Sequence, residues 1–176
     1  TDDATMEVVR MVLVGSVNQE VVSRINQAGG RAVGLSGADG RLLLGRKVTV
    51  AGEDVGRVGL IERVDDTELL LLSQGGFIPV VAPVAVDREG QPLNVNADLV
   101  AGAVAAHLKA RKLLLMTDVP GVMDGEGTVM SSIRRGNVDL LLANGVRLPA
   151  VGLGTGCVSL ASFVHILQPP TKASVA

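Results

Sequence analysis

The chain has 176 residues and a formal net charge of −2, with its basic residues scattered rather than bunched. It therefore has no electrostatic footprint for nucleic acid, and with Phe77 and Phe163 as its only aromatic residues it has no stacking platform for single strands. Hydrophobic residues make up 47% and charged residues 19%, enough apolar surface to offset the ordering entropy of one domain plus part of another.

In chain order, Met6, Val9, Val12 and Leu13 form a stripe at helical spacing, with Thr5 as a cap and Gly15 as a stop. Asn18 reads as the cap of a second helix reaching about Ala28 and closed by Gly29-Gly30. Residues 31–35 form a short apolar run, a buried strand ending in the tight loop 36–40. Residues 41–50 and 56–62, rich in Val, Leu and Ile, predict a β-hairpin around residues 51–54 that is appended as an antiparallel edge or flap.

Residues 67–74 suit a short helix, and 77–81 a strand in which Pro79 counts against a fully paired central position. Asn96 caps a helix over about 97–109, and Leu113 to Met116 follow as an apolar strand buried on both faces. Helices alternating with apolar strands give an α/β class with a mainly parallel sheet flanked by helices. After about Gly145 the periodicity fades, and Gln168-Pro169-Pro170 breaks whatever precedes it.

Cys157 stands alone, so no internal disulfide forms and a reducing compartment suits the chain. Every apolar run falls short of the roughly 20 residues that span a bilayer. Thr1-Asp2-Asp3 begins without a signal stretch, and a soluble intracellular protein is expected.

Two segments carry chemistry. Asn94-Val95-Asn96-Ala97-Asp98 joins an extended stretch to a helix start, where exposed N–H groups and the helix dipole favour the Asp98 carboxylate. Thr117-Asp118-Val119-Pro120-Gly121 follows an apolar run, at the kind of strand end where open α/β sheets bind ligands. Taken singly, each also reads as an ordinary cap or turn. Residues 34–40 match neither the P-loop nor the dinucleotide fingerprint, and a turn is the better reading. His107 and His165 have no ligand-spaced partners and suit packing; Cys157 has no visible base and suits a small buried apolar role. No protein-built metal site is expected.

Together these segments resemble the acetylglutamate kinases of the amino acid kinase family. The resemblance runs through Thr1-Asp2, Thr5-Met6-Glu7-Val8-Val9 to Val17-Asn18, Ile25-Asn26 and Ala32 to Gly40. It continues through Gly76-Phe77-Ile78-Pro79-Val80, Gly90-Gln91, Asn94 to Asp98 and Leu114 to Val122. It implies a three-layer sandwich, with 1–112 the remainder of an acetylglutamate-binding and dimerisation lobe and 113–176 a partial nucleotide-binding lobe with a degenerate tail. The fold is then incomplete at both ends. It further implies an arginine-biosynthesis reaction in which MgATP phosphorylates N-acetyl-L-glutamate to its 5-phosphate. Asn94 would hold acetylglutamate, Asp98 would orient two catalytic lysines, and Thr117, Asp118, Val119, Pro120, Gly121 and Val122 would contribute to the nucleotide site. Mg²⁺ would arrive with ATP.

The departures from the family pattern concern cations. The Lys-x-Gly-Gly strand that precedes the Thr-Asp pair in the family is not among these residues, and Ala150, in the 145–151 stretch that also holds Arg147, stands where the second catalytic lysine falls. The resemblance therefore implies an impaired or inactive kinase in this chain alone. A non-catalytic regulatory subunit bound to an intact kinase, an acetylaminoadipate kinase of lysine synthesis and a truncated gene product are the alternatives. The family further implies a homo-oligomer, dimer or hexamer, the PII signalling protein as a partner in arginine-sensitive members, and a cytoplasmic location, or a plastid in a photosynthetic eukaryote.

Overall fold

In the computed structural model, residues 1–116, 122 and 126–132 are described. The chain divides into two compact units, the first containing Thr1–Leu113 and the second beginning at Leu114. The first unit holds helices α1 (Asp3–Arg10), α2 (Asn18–Gln27), α3 (Thr67–Gln74) and α4 (Ala97–His107). Its strands are β1 (Ala32–Ser36), β2 (Leu43–Val50), β3 (Glu53–Val64), β4 (Ile78–Ala82), β5 (Val84–Val86) and β6 (Pro92–Asn94).

The expected stop at Gly15 does not occur. A π-helical stretch, Met11–Val17, joins α1 to α2, and Arg10, Val17 and Asn18 all keep right-handed helical dihedrals. The Asn18 N–H bonds to the Leu13 carbonyl, five residues back, and the wider turn shifts the helix face. Met6 is consequently buried and Val9 and Leu13 half-buried, while Val12 falls outside the expected stripe and is exposed. Asp2, not Thr5, is the cap: its Oδ1 accepts from the Thr5 N–H at 2.7 Å.

Asn18 is likewise no cap. Its side chain is buried and donates through Nδ2 to the Val80 carbonyl at 2.8 Å and the Leu35 carbonyl at 3.4 Å, so one amide ties the helix to both β1 and β4. A Cβ at position 34 would run into Asn18 Oδ1, which explains the glycine there. Two turns on, Asn26 bonds both the N–H and the carbonyl of Ala32, fixing the start of β1.

Strands β1 and β4 pair in parallel, from Ala32 opposite Ile78 to Ser36 opposite Ala82. Pro79 lies opposite Val33 in a strand whose one neighbour, among the described residues, is β1, the kind of place where a strand proline is tolerated. This gives the α/β architecture expected from the alternation of helices and apolar strands.

The hairpin is not a free flap. Strands β2 and β3 turn through Ala51-Gly52, both at positive φ, and form a closed ring with β5 and β6. Single parallel pairings close it, Leu44 with Val86 and Val58 with Asn94. Leu93 is fully buried inside, against Gly45, Gly59 and Ala85, and belongs to a core with Leu42, Leu43, Val64, Leu69, Val95, Val100 and Val104. A hydrophobic interior on one face of each strand is what forces closure.

The strand expected over 113–116 is not formed. These residues have no regular structure, and Leu114, Leu115 and Met116 are exposed; the unit boundary falls here, and no described strand offers them a ladder. No helix among the described residues is long and apolar enough to cross a membrane.

Candidate functional site

Strand β6 ends at Asn94, which pairs with Val84 of β5 and with Val58 of β3. Val95 is buried, with its N–H donated to the Pro83 carbonyl at 3.3 Å, and that anchor turns the chain into α4. Asn96 then caps the helix as the sequence predicts: its Oδ1 accepts from the Asp98 N–H at 2.9 Å and the Leu99 N–H at 3.2 Å. Asp98 is half-buried in the first turn, where the helix dipole favours a carboxylate. Five residues thus carry an amide, a cap and an acid across one strand-to-helix junction.

The amino-terminal segment reaches this junction from the far end of the chain. The Asn94 Nδ2 donates to Thr1 Oγ1 at 3.4 Å. Thr1 is bound along β3, its N donating to the Val55 carbonyl at 2.8 Å and its carbonyl accepting from the Arg57 N–H at 2.5 Å. The Arg57 side chain, 18% exposed, bonds Asp3 Oδ1 at 2.5 Å and approaches Asp87 Oδ2 at 3.9 Å. The Thr1-Asp2 pair carries part of the family resemblance but not the role of Thr1, and nothing local marks Arg57, because these contacts span 54 and 93 residues.

The loop after β1 is a closed turn, as expected: Asp39 Oδ2 accepts from both the N–H and the hydroxyl of Ser36. His107 is not a packing residue. Its side chain is 44% exposed, with Nε2 3.7 Å from Asp66 Oδ2. Hydrogen bonds from the hydroxyl and the N–H of Thr67 hold the Asp65 carboxyl below the usual carboxylate range, and bonds from Thr5 do the same for Asp2. Among the described residues, no three His, Cys, Asp or Glu side chains gather as metal ligands. Thr117, Asp118, Val119, Pro120, Gly121, Arg147, Ala150, Cys157 and His165 lie outside the described residues. Val122 is described, its carbonyl accepting from the Met130 N–H at 2.8 Å.

The sequence profile of the Amino acid kinase family covers residues 1–155, and the chain belongs to that family. Among curated proteins it is 58% identical to the acetylglutamate kinase of Geotalea uraniireducens (strain Rf4), over 82% of this chain and 53% of that protein. It is 54% identical to the acetylglutamate kinase of Geobacter sulfurreducens, over 83% of this chain and 53% of that protein. The chain thus spans about half the length of the curated relatives it matches. Among solved structures, smu.665 from Streptococcus mutans UA159 superposes with a TM-score of 0.74 at 27% identity, over 85% of this chain and 60% of that one. The N-acetylglutamate synthase of Neisseria gonorrhoeae, complexed with coenzyme A and N-acetyl-glutamate, shares the fold with a TM-score of 0.68 at 22% identity, over 81% of this chain and 32% of that one.

Proposed function

We propose that the chain is the acetylglutamate-binding part of an acetylglutamate kinase, in which MgATP phosphorylates the side-chain carboxylate of N-acetyl-L-glutamate in arginine biosynthesis. The observation that carries this reading is the junction from Asn94 to Asp98, which offers an amide and a dipole-supported carboxylate within one turn. High identity to two acetylglutamate kinases, over 82% and 83% of the chain, supports it.

In this reading Asn94 binds acetylglutamate. Asp98 aligns the lysines that neutralise charge spreading over the transferring phosphoryl, a reaction that depends on positioning and electrostatics rather than covalent help. Residues 1–112 are the acetylglutamate lobe of the family sandwich. Residues 113–176 contribute to the nucleotide lobe, with Thr117, Asp118, Val119, Pro120, Gly121 and Val122 facing ATP, the substrate that brings Mg²⁺. Ala150 in place of a lysine makes turnover by the 176 residues alone weak, because one preorganised cationic or donor group is worth a factor of about 10²–10³. A homodimer fits the exposed apolar row of Val8 on α1 and Met11 and Val12 on the π-helical stretch that follows it. Substrates that are small, charged metabolites suit a cytoplasmic location.

Calorimetric titration with N-acetyl-L-glutamate or acetylaminoadipate, and coupled ADP release with ATP, test the reading. The expected result is saturable acetylglutamate binding with little turnover, and an increase on Ala150→Lys once the preceding family segment is supplied. Stronger binding of acetylaminoadipate than of acetylglutamate would move the reading to lysine synthesis.

A further inference from the structure

We propose that Thr1 is a positioning residue for Asn94, its hydroxyl holding the plane of the Asn94 amide toward the ligand. The inference rests on the assignment of Asn94 to acetylglutamate binding. An amide side chain donates at one end and accepts at the other, so a binding asparagine works only when its plane is held. Strand β6 fixes the Asn94 backbone but not its side-chain torsion. The one side-chain bond recorded for Asn94 is from Nδ2 to Thr1 Oγ1. That bond consumes one amide proton and leaves the second proton and the carbonyl oxygen for an acylated amino acid.

At 3.4 Å the bond is weak alone, so its effect depends on how firmly the hydroxyl is held. The Thr1 side chain is β-branched, with few χ1 choices once its backbone is fixed, and that backbone is held. Its N and carbonyl are both bonded to β3, at Val55 and Arg57. Between those residues Gly56 sits at φ +76°, and a Cβ there would run into the Thr1 carbonyl, so the strand carries a glycine where Thr1 docks. Beyond it, Arg57 grips Asp3 and approaches Asp87, fixing the chain on the far side of Thr1. A preorganised support of this kind reduces what a ligand must order on binding.

The test compares the full chain with its Thr1→Val and Thr1→Ser variants. The Asn94 side-chain NH₂ signals in ¹⁵N–¹H spectra, assigned by their loss in Asn94→Asp, report the contact without any ligand. Thr1→Val should move both signals, and Thr1→Ser should leave them near those of the parent. Calorimetric titration with N-acetyl-L-glutamate should weaken about 3- to 10-fold in Thr1→Val and recover in Thr1→Ser, the range expected for one modest hydrogen bond. Unchanged Asn94 signals in Thr1→Val would overturn the positioning role while leaving the substrate assignment standing if the parent still binds. Shifted signals in a chain that binds no acetylglutamate would support the contact and refute the substrate assignment instead.

Discussion

The parallel pair β1/β4 and the four-stranded ring are held in opposite ways. The pair is short and polar in its fastening: Asn18 bonds both strands and Asn26 fixes the entry to β1, so a helix adjacent in sequence supplies the restraint. The ring is fastened by apolar burial and distant contacts, with Leu93 at its centre and Thr1 laid along β3. The pair needs specific hydrogen bonds, and the ring needs volume and shape. The candidate site sits where the ring feeds α4, so its geometry depends on the ring.

Emptying the ring should cost most. Leu93→Ala removes a fully buried side chain and is expected to lower unfolding free energy by about 2–5 kcal/mol in urea titration, with loss of acetylglutamate binding alongside. Cutting the polar tie should cost less: Asn18→Leu leaves the Val80 and Leu35 carbonyls without their donor and should destabilise by about 1–3 kcal/mol. If Asn18→Leu proves neutral, the contrast between the two regions fails.

The hairpin turn offers a gain. Ala51 holds φ 52°, a left-handed conformation costly for alanine, in a two-residue turn that favours Asn-Gly. Ala51→Asn should raise stability by about 0.5–1 kcal/mol, read as a higher melting temperature.

The smallest effect is a titration. The Asp65 carboxyl is held low by Thr67, so its contribution is present above the ordinary carboxylate value and is lost as pH falls through the lowered folded value. Thr67→Val should bring the Asp65 pKa, followed by ¹³C NMR, back up toward the ordinary range and flatten that acid-side loss.

Much of the fold was legible because its signals are local. The capping asparagine at 96, the helix over 67–74 and the alternation that gives the α/β class all depend on neighbours within a few residues. The π-helical stretch was not legible: Gly15 and Asn18 imitate a stop and a start, and only the buried partners of Asn18 reveal its role. Closure of the ring was also hidden, since single pairings such as Val58 with Asn94 leave no periodic trace. At the candidate site Asn94 and Asp98 could be picked out as a motif; Thr1 could be read as part of a Thr-Asp pair, but its role and that of Arg57 could not. Their roles arise from contacts that only the folded chain creates.

The most direct test is an N-acetyl-L-glutamate titration of the chain followed by ¹⁵N–¹H spectra. Saturable shifts centred on Asn94, Asn96 and Asp98, abolished by Asn94→Ala in a folded protein, are the predicted result. Absence of those shifts, or their persistence in Asn94→Ala, would contradict the assignment of the β6–α4 junction as the acetylglutamate site.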